Sequence, residues 1–433
     1  MIILFLSAYG YPEMAASSYL GGNRNQAFAD AGYKMITYVP TPTRGITPEV
    51  REEYKRKKYE ERYDGSAVIH RFAMFAEGKN PVLRALRYFC CAIKHFNRGV
   101  FAKDARNCDI IFVSSTPPIQ GAMASLVKKC RHVPFVYVLQ DIFPDSLAGT
   151  GLAKKGGFLW KIGRVIEDFT YRNADKIIVI SEDFKKNIMA KGVPEDKIVL
   201  IYNWVDEDAV VDIPRAENKL FDKYNLDRDK FYITYSGNIG LTQNMDMLLE
   251  VMEELQTEEP DIRLVLIGEG ACKDEVVKRI AGQAGNDKGS TGDDGAVRGT
   301  SLRNVILLPF QPYEDISHVF SLGDAGLVIS KPGVGANSVP SKTWSIMSAS
   351  RPVLANFDEN ELKDIIQDHR CGIFTKAGDK EAFKASILEL YHHRDLCQEY
   401  GDNGRQFVME NLTKEVGTQK YVDVIKSFEK KQE

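Results

Sequence analysis

The chain has 433 residues, 44% of them apolar and 27% charged, with a formal net charge of −3; it is long enough for two ordinary domains, and its composition excludes a disordered or fibrous chain. The near-neutral total hides an asymmetry: residues 1–205 carry 30 Lys and Arg against 20 Asp and Glu, and the remainder 27 against 40. The first half therefore favours an anionic surface; no nucleic-acid partner is expected. The seven cysteines are irregularly spaced without a C-x-x-C, which argues against a disulfide framework or zinc site and for a reducing compartment. Met1–Leu6 is apolar but short and has no basic run before it, so it is not read as a signal peptide. No apolar run approaches the ~20 residues of a membrane helix, and the expected location is cytoplasmic, or peripheral on the inner face of the membrane.

In chain order, the first strand candidate is Ile2–Leu6. It leads into a loop of small residues, Ser7 to Ala16, opening a helix that ends near Gly32. Small residues there let backbone amides approach a ligand, although an ordinary strand–helix turn reads the same way. Met35–Val39 is the next strand. Val82–Phe101 is amphipathic: at 100° per residue Val82, Leu86, Phe89, Ile93, Phe96 and Val100 share one face, and Arg84, Arg87, Lys94 and Arg98 lie nearly opposite. The pattern predicts a helix with its apolar face on the domain and a basic face in solvent, available to anionic headgroups or a lipid phosphate. Ile110–Ser114, Phe135–Leu139 and Lys176–Ile180 follow as strands. In doubly wound sheets ligands sit beyond the carboxyl ends of the strands. Asp141, just after Phe135–Leu139, is thus placed to bind a sugar hydroxyl or accept a proton, with a helix cap or turn aspartate as the plainer reading.

A boundary is expected at Asn203–Asp206, giving domains 1–205 and 206–433. Asp206-Glu207-Asp208 matches a metal-binding D-x-D, but no carboxylate or His cluster accompanies it, and no metal or other cofactor is expected. His392-His393 reads as an exposed helix end. The second half offers strands at Tyr232–Ser236, Arg263–Ile267, Val305–Leu308, Ala325–Ile329 and Pro352–Ala355, with a low-complexity surface loop from Gly282 to Thr300. Tyr235 to Gly240 and Ile267 to Gly270 are glycine-bearing loops after strands, yet neither completes G-x-G-x-x-G. From Lys331 to Trp344 a glycine-containing loop leads to a helix reaching Ala349. Ser338 is its expected N-cap, Pro340 lies in its first turn, and its N-terminus is a candidate anion site.

Several short motifs recur in a characteristic order: Tyr11-Pro12-Glu13, Pro117-Pro118, Asp141 to Pro144, Ala174-Asp175 with Ile180-Ser181, and Asn203 to Asp206. Ser236 to Gly240, Gly268-Glu269-Gly270, Ser338 to Lys342 and Arg351-Pro352-Val353 continue the series. Together they resemble glycosyltransferase family 4, and within it the bacterial surface-polysaccharide branch that includes N-acetyl-L-fucosamine transferases. The resemblance implies an α/β chain of GT-B fold, two Rossmann-like doubly wound domains facing across a cleft. It also implies transfer with retention from a nucleotide-sugar donor, expected to be UDP-linked, held by the C-terminal domain. The acceptor, a saccharide expected on polyprenyl diphosphate, falls largely to the N-terminal domain, and no metal is implied.

Carried onto this chain, the donor-side candidates are Gly237, Asn238, Glu269, Asn337, Ser338, Ser341, Lys342 and Ser345. The acceptor-side candidates are Glu13, Ala15, Ala16 and Asp141, and Asp141 and Lys342 are the catalytic pair. The chain departs from the family where many members carry two glutamates (here Asn337 and Ser345), an Arg and a Lys on the diphosphate (Asn238 and Gln243), and a diglycine (Ala15-Ala16). Lys342 is therefore expected to be the main cation on the diphosphate. Two other classes remain open at this point. A NAD-dependent oxidoreductase requires the glycine fingerprint that is absent, and a non-catalytic nucleotide-sugar-binding protein would suit the missing glutamates and cations.

Overall fold

The computed structural model describes residues 1–433 except 14–17, 79, 147–153, 155, 283–291, 336–338 and 430–433. Two compact units emerge: Met1–Asn203 with Gly417–Glu433, and Trp204–Val416. The first division falls between Asn203 and Trp204, two residues before the 205/206 division given above, and residues 417 onward, assigned there to the second domain, cluster with the first unit.

The first unit is built on eight strands, β1 (Ile2–Leu6), β2 (Lys34–Pro40), β3 (Tyr59–Arg62), β4 (Ala67–Phe72), β5 (Ile110–Ser114), β6 (Phe135–Leu139), β7 (Lys176–Val179) and β8 (Ile198–Leu200), in the order β3-β4-β2-β1-β5-β6-β7-β8. All pairings are parallel except β3 with β4. The connecting helices are α1 (Ser18–Asp30), α2 (Pro48–Arg56), α3 (Pro81–Phe101), α4 (Ile119–Arg131), α5 (Phe158–Asn173) and α6 (Glu182–Ala190). Central strands such as FVYVL are buried throughout, as a parallel sheet covered on both faces requires.

The second unit has seven strands, β9 (Phe231–Ser236), β10 (Ile262–Ile267), β11 (Val297–Arg298), β12 (Val305–Leu308), β13 (Ala325–Ile329), β14 (Val353–Phe357) and β15 (Gly372–Lys376), ordered β11-β12-β10-β9-β13-β14-β15. Only β11 runs antiparallel, pairing with β12; it is a strand inside the segment 282–300 expected to be loop, of which 283–291 lie outside the described residues. The helices are α7 (Lys219–Lys223), α8 (Met245–Glu258), α9 (Lys273–Ala281), α10 (Ile316–Phe320), α11 (Lys342–Ser348), α12 (Glu361–Asp368), α13 (Lys380–His392) and α14 (Arg394–Asn411). His392 and His393 are exposed at the end of α13. The last helix, α15 (Lys414–Glu429), belongs mainly to the first unit. There the Tyr421 ring lies 6.1 Å from Phe112. The Arg24 guanidinium of α1 sits over Phe5, Phe112 and Tyr421 at 5.0, 4.8 and 5.9 Å, a cation held by ring faces.

Helix α3 corrects the sequence reading. Arg87 is fully buried, while Val82, Leu86, Phe89 and Ile93 are 74, 50, 53 and 47% exposed. The inward face is the row Arg87, Cys91, His95 and Gly99, each one turn from the next. Arg87 Nε donates to Phe75 O at 3.1 Å and Nη2 to Thr43 Oγ1 at 3.3 Å. His95 bridges Tyr38 O and the Gln120 amide at 3.1 and 2.8 Å. Gly99 lets the helix approach Leu6 and Val127, where a Cβ would meet side-chain carbons at 3.0 to 3.3 Å. Specific polar partners and one small residue thus override the hydrophobic period.

Close packing continues at α4, where a Cβ on Gly121 would lie 2.4 Å from Thr170 Cγ2 of α5 and 2.9 Å from the Tyr137 ring. Gly121→Ala should lower unfolding stability by about 1–3 kcal/mol through overpacking, despite alanine's higher helix propensity. Adding Thr170→Ala should recover part of that loss. Urea unfolding of the single and double variants measures both; a more stable Gly121→Ala protein would refute the packing argument.

Candidate functional site

In the second sheet β9 lies between β10 and β13. The chain leaves β9 toward one side and returns at β13 on the other, so the loops after these two strands part and open a crevice at the carboxyl edge. The loops after β9 and β10 are joined backbone to backbone: Gly237 N donates to Ile267 O at 3.0 Å, Ile239 N to Glu269 O at 2.8 Å, and Cys272 N to Ile239 O at 3.0 Å. A Cβ at Gly268 would stand 1.9 Å from Gly237 O, and one at Gly270 2.2 Å from Ile239 O. These glycines serve the contact between two loops, which accounts for a pattern that stops short of a dinucleotide fingerprint.

Lys342, the first residue of α11, reaches into this region. Its Nζ lies 3.6 Å from the centre of the Tyr235 ring, and a Cβ on Gly237 would come within 2.8 Å of it. Tyr235 in turn donates its hydroxyl to Asn238 O at 2.7 Å, so one side chain supports both the ammonium and the loop. No carboxylate among the described residues pairs with Lys342, and burial pulls its pKa down to about 7. An ammonium desolvated without a counter-charge is a receptor for an anion. Tyr235 was passed over in the sequence because a strand-end tyrosine reads as core; no local signal links it to Lys342.

The remaining donor-side candidates divide. Asn238 is exposed beside Lys342's loop. Gln243 turns inward, accepting from Gly240 N at 3.1 Å, and so steadies the loop. Glu269 is exposed and ion-paired with Lys273 at 2.6 Å; Lys273, at the start of α9, is a second cation near these loops that the sequence reading missed, although its spacing of four from Glu269 signals the pair. Asn337 and Ser338 lie outside the described residues. The expected cap at Ser338 is replaced by Ser341, which flanks a helix beginning at Lys342 and makes no side-chain cap bond; with αR dihedrals it lacks the extended backbone a capping side chain needs. Ser341 is exposed and Ser345 half-buried one turn on. The 331–335 loop is held by Asp358, which accepts from Gly333 N at 2.9 Å and Gly335 N at 2.7 Å.

In the first unit, Glu13 is buried, accepting from Gly10 N at 3.0 Å, Thr43 N at 2.8 Å and Arg44 N at 3.0 Å. Desolvation raises its pKa, against the pull of those amides and of Arg87. These contacts tie the loop after β1 to the segment after β2. Ala15 and Ala16 lie outside the described residues. Asp141 is exposed, its loop fastened by Gln140 N and Asp141 N on Ser115 Oγ at 3.0 and 3.2 Å. Surrounding protein raises its pKa by desolvation, and the Ser146 hydroxyl, 3.0 Å from Oδ2, opposes this. Asp206 accepts from Ala209 N at 3.1 Å in a local turn, and Glu207 from Lys414 N, at the start of α15, at 3.0 Å. Among the described residues no group of three His, Cys, Asp or Glu side chains is arranged for a metal ion, and no helix is long and apolar enough to cross a membrane.

Comparison with known proteins bears on this geometry. Residues 26–209 match the family profile Glycosyltransferase Family 4, and residues 230–393 the profile Glycosyl transferases group 1. WbjE of Pseudomonas aeruginosa, a glycosyltransferase by name, is 24% identical over 74% of this chain and 75% of its own. WcaI of Escherichia coli (strain K12), a glycosyl transferase named for colanic acid biosynthesis, is 24% identical over 93% of this chain and 96% of its own. Anabaena HepE, solved in complex with UDP, superposes with a TM-score of 0.69 at 15% identity, covering 99% of this chain and 100% of that one. That likeness shows the GT-B fold.

The depressed pKa of Lys342 has a thermodynamic signature. Between about 7 and the ordinary lysine value the unfolded chain binds a proton that the folded chain does not, so stability rises with pH across that window and is flat below it. Relative to Lys342→Met, the wild-type protein should gain stability between about pH 6 and about pH 9. Urea unfolding of both proteins at the two pH values tests this; a constant difference would place the ammonium in ordinary solvent.

Proposed function

This chain belongs to glycosyltransferase family 4, and on that premise we propose that it moves a sugar, with retention, from a UDP-linked donor to a saccharide carried on polyprenyl diphosphate. The pathway is surface polysaccharide synthesis, which places the chain in the cytoplasm and at the inner face of the membrane. The observation that carries the reading is Lys342: a half-buried lysine whose ammonium lies on the Tyr235 ring without a carboxylate partner among the described residues, at the carboxyl edge of the second sheet. HepE, a neighbour of the same fold solved with UDP, and WcaI, named for colanic acid biosynthesis, support it.

In this mechanism the donor's anomeric carbon–oxygen bond breaks toward the diphosphate while the acceptor hydroxyl forms the new bond on the same face. Charge grows on the departing diphosphate, and Lys342 stabilises it more than the ground state. The departing phosphate oxygen takes the acceptor's proton. Asp141, exposed with a raised pKa, orients the acceptor hydroxyl.

Two outcomes follow from this chemistry. A hydrogen bond to a charged partner contributes about 1.5–3 kcal/mol, and about 1.4 kcal/mol is tenfold. Lys342→Met should therefore weaken UDP binding about 10- to 100-fold and uridine binding much less. Wild-type UDP affinity should also fall as pH rises through about 7, because the anion needs the protonated amine, and the Met variant should lose that dependence. Calorimetry decides, and a change below about twofold in a folded variant moves the role to Lys331. Secondly, transfer should persist in excess EDTA, since nothing in the scheme calls for a metal. Abolition by EDTA with rescue by Mn²⁺ would redirect attention to Asp206 and Asp208.

A further inference from the structure

Helix α3 turns its apolar face outward. Val82, Leu86, Phe89 and Ile93 are all about half exposed or more, while the helix's inward side holds a buried arginine and histidine. The exposure is shared by neighbours. Helix α4 packs against both α3 and α5 and presents Leu126 at 46% exposure, and α5 presents Phe158, Leu159, Ile162 and Val165 at 77, 62, 43 and 66%. So many exposed apolar side chains on adjacent helices of a folded chain mark a surface that another phase or partner covers.

The charges around it identify the cover. Neither α3 nor α4 contains an Asp or Glu. Lys94 and Arg98 border the apolar stripe in exposed positions, as does Arg84, which is ion-paired to Glu77 at 3.2 Å. Lys129 and Lys161 are exposed on the neighbouring helices. The carboxylates of α5, Glu167 and Asp168, are engaged by Arg164. An apolar stripe edged by cations, with the nearby carboxylates Glu77, Glu167 and Asp168 ion-paired, fits an anionic lipid interface, with side chains in the acyl boundary and cations at the headgroups.

We propose that the outward face of α3, extended by α4 and α5, is a docking surface for an anionic lipid bilayer, entered through Leu86, Phe89 and Ile93. This deepens the lipid-carried-acceptor reading and rests on it for its purpose. It reverses the orientation expected from sequence, in which the basic face alone would meet the membrane.

The test is flotation of the full chain with phosphatidylcholine vesicles and with vesicles containing about a third phosphatidylglycerol, at low and high salt. Sugar transfer is not measured, so failure of the transfer reading leaves the result intact. Wild-type protein should bind the anionic vesicles about tenfold or more better than neutral ones, less so at high salt. Leu86→Ser/Phe89→Ser/Ile93→Ser should lower that binding about tenfold or more. Lys94→Glu/Arg98→Glu should bring anionic and neutral vesicles to parity. These side chains are exposed, so unchanged melting temperatures are expected and confirm that the variants are folded. The proposal is overturned if the wild type does not float with anionic vesicles, or if the triple-serine variant floats as well as wild type. It is equally overturned if gel filtration shows a dimer that the triple-serine variant dissolves while flotation is unchanged, for the face would then belong to a second copy.

Discussion

The donor-side architecture of the second unit depends on the approach of two backbones. The loops leaving β9 and β10 share three hydrogen bonds, and a side chain at Gly268 or Gly270 would occupy the space of the carbonyl opposite. This contact fixes Gly237, and the room left by its missing side chain is where the Lys342 ammonium lies. Tyr235 closes the arrangement from below, its ring under the ammonium and its hydroxyl on the Asn238 carbonyl. Removing the glycines would therefore disturb a charge that sits far from them in sequence.

The central strands were legible because a strand buried on both faces is almost wholly apolar; IILFL is so throughout, and IIFVS and FVYVL depart only at Ser114 and the Tyr137 hydroxyl. The edge strands were not. β3 reads YEER, an edge sequence whose charges discourage further pairing and erase the apolar signal, and β11 is two residues inside a glycine-rich segment. Helix α3 was found with nearly its true bounds, with Phe96 and Val100 on the core and Arg84, Lys94 and Arg98 exposed as expected, but with Val82, Leu86, Phe89 and Ile93 outward and Arg87 inward, because periodicity reports that two faces differ and not which one is buried. That choice was made by Phe75 O, Thr43, Tyr38 and Gln120, partners brought to Arg87 and His95 by the fold.

At the site, sequence reasoning found the loops because doubly wound sheets place ligands at strand carboxyl ends, and it singled out Lys342 by the absence of the family's other cations. The roles of single side chains were less accessible. Glu13 looked like a residue available to a ligand, whereas it accepts three backbone amides that bind two segments together. Gln243 likewise serves its own loop. Short polar motifs in a family signature serve backbone order as often as ligands, and only the direction of each hydrogen bond separates the two uses.

The buried charges make that distinction physical. Taking a charge out of water is strongly unfavourable unless something replaces the lost hydration. Glu13 has amides and the nearby Arg87; Arg87 has a carbonyl and a hydroxyl; Arg24 has three aromatic faces. Lys342 has one aromatic face and no carboxylate among the described residues, and its pKa falls accordingly. The first three are answered within the fold, although burial also lowers the Arg24 pKa and Arg87 Nη1 keeps no hydrogen-bond partner. The fourth has no such partner among the described residues, and in the proposed function the donor diphosphate supplies the counter-charge. In the proposed function an arriving anion would return the proton to the amine, so that charge on the ligand and charge on the lysine would rise together as the diphosphate leaves.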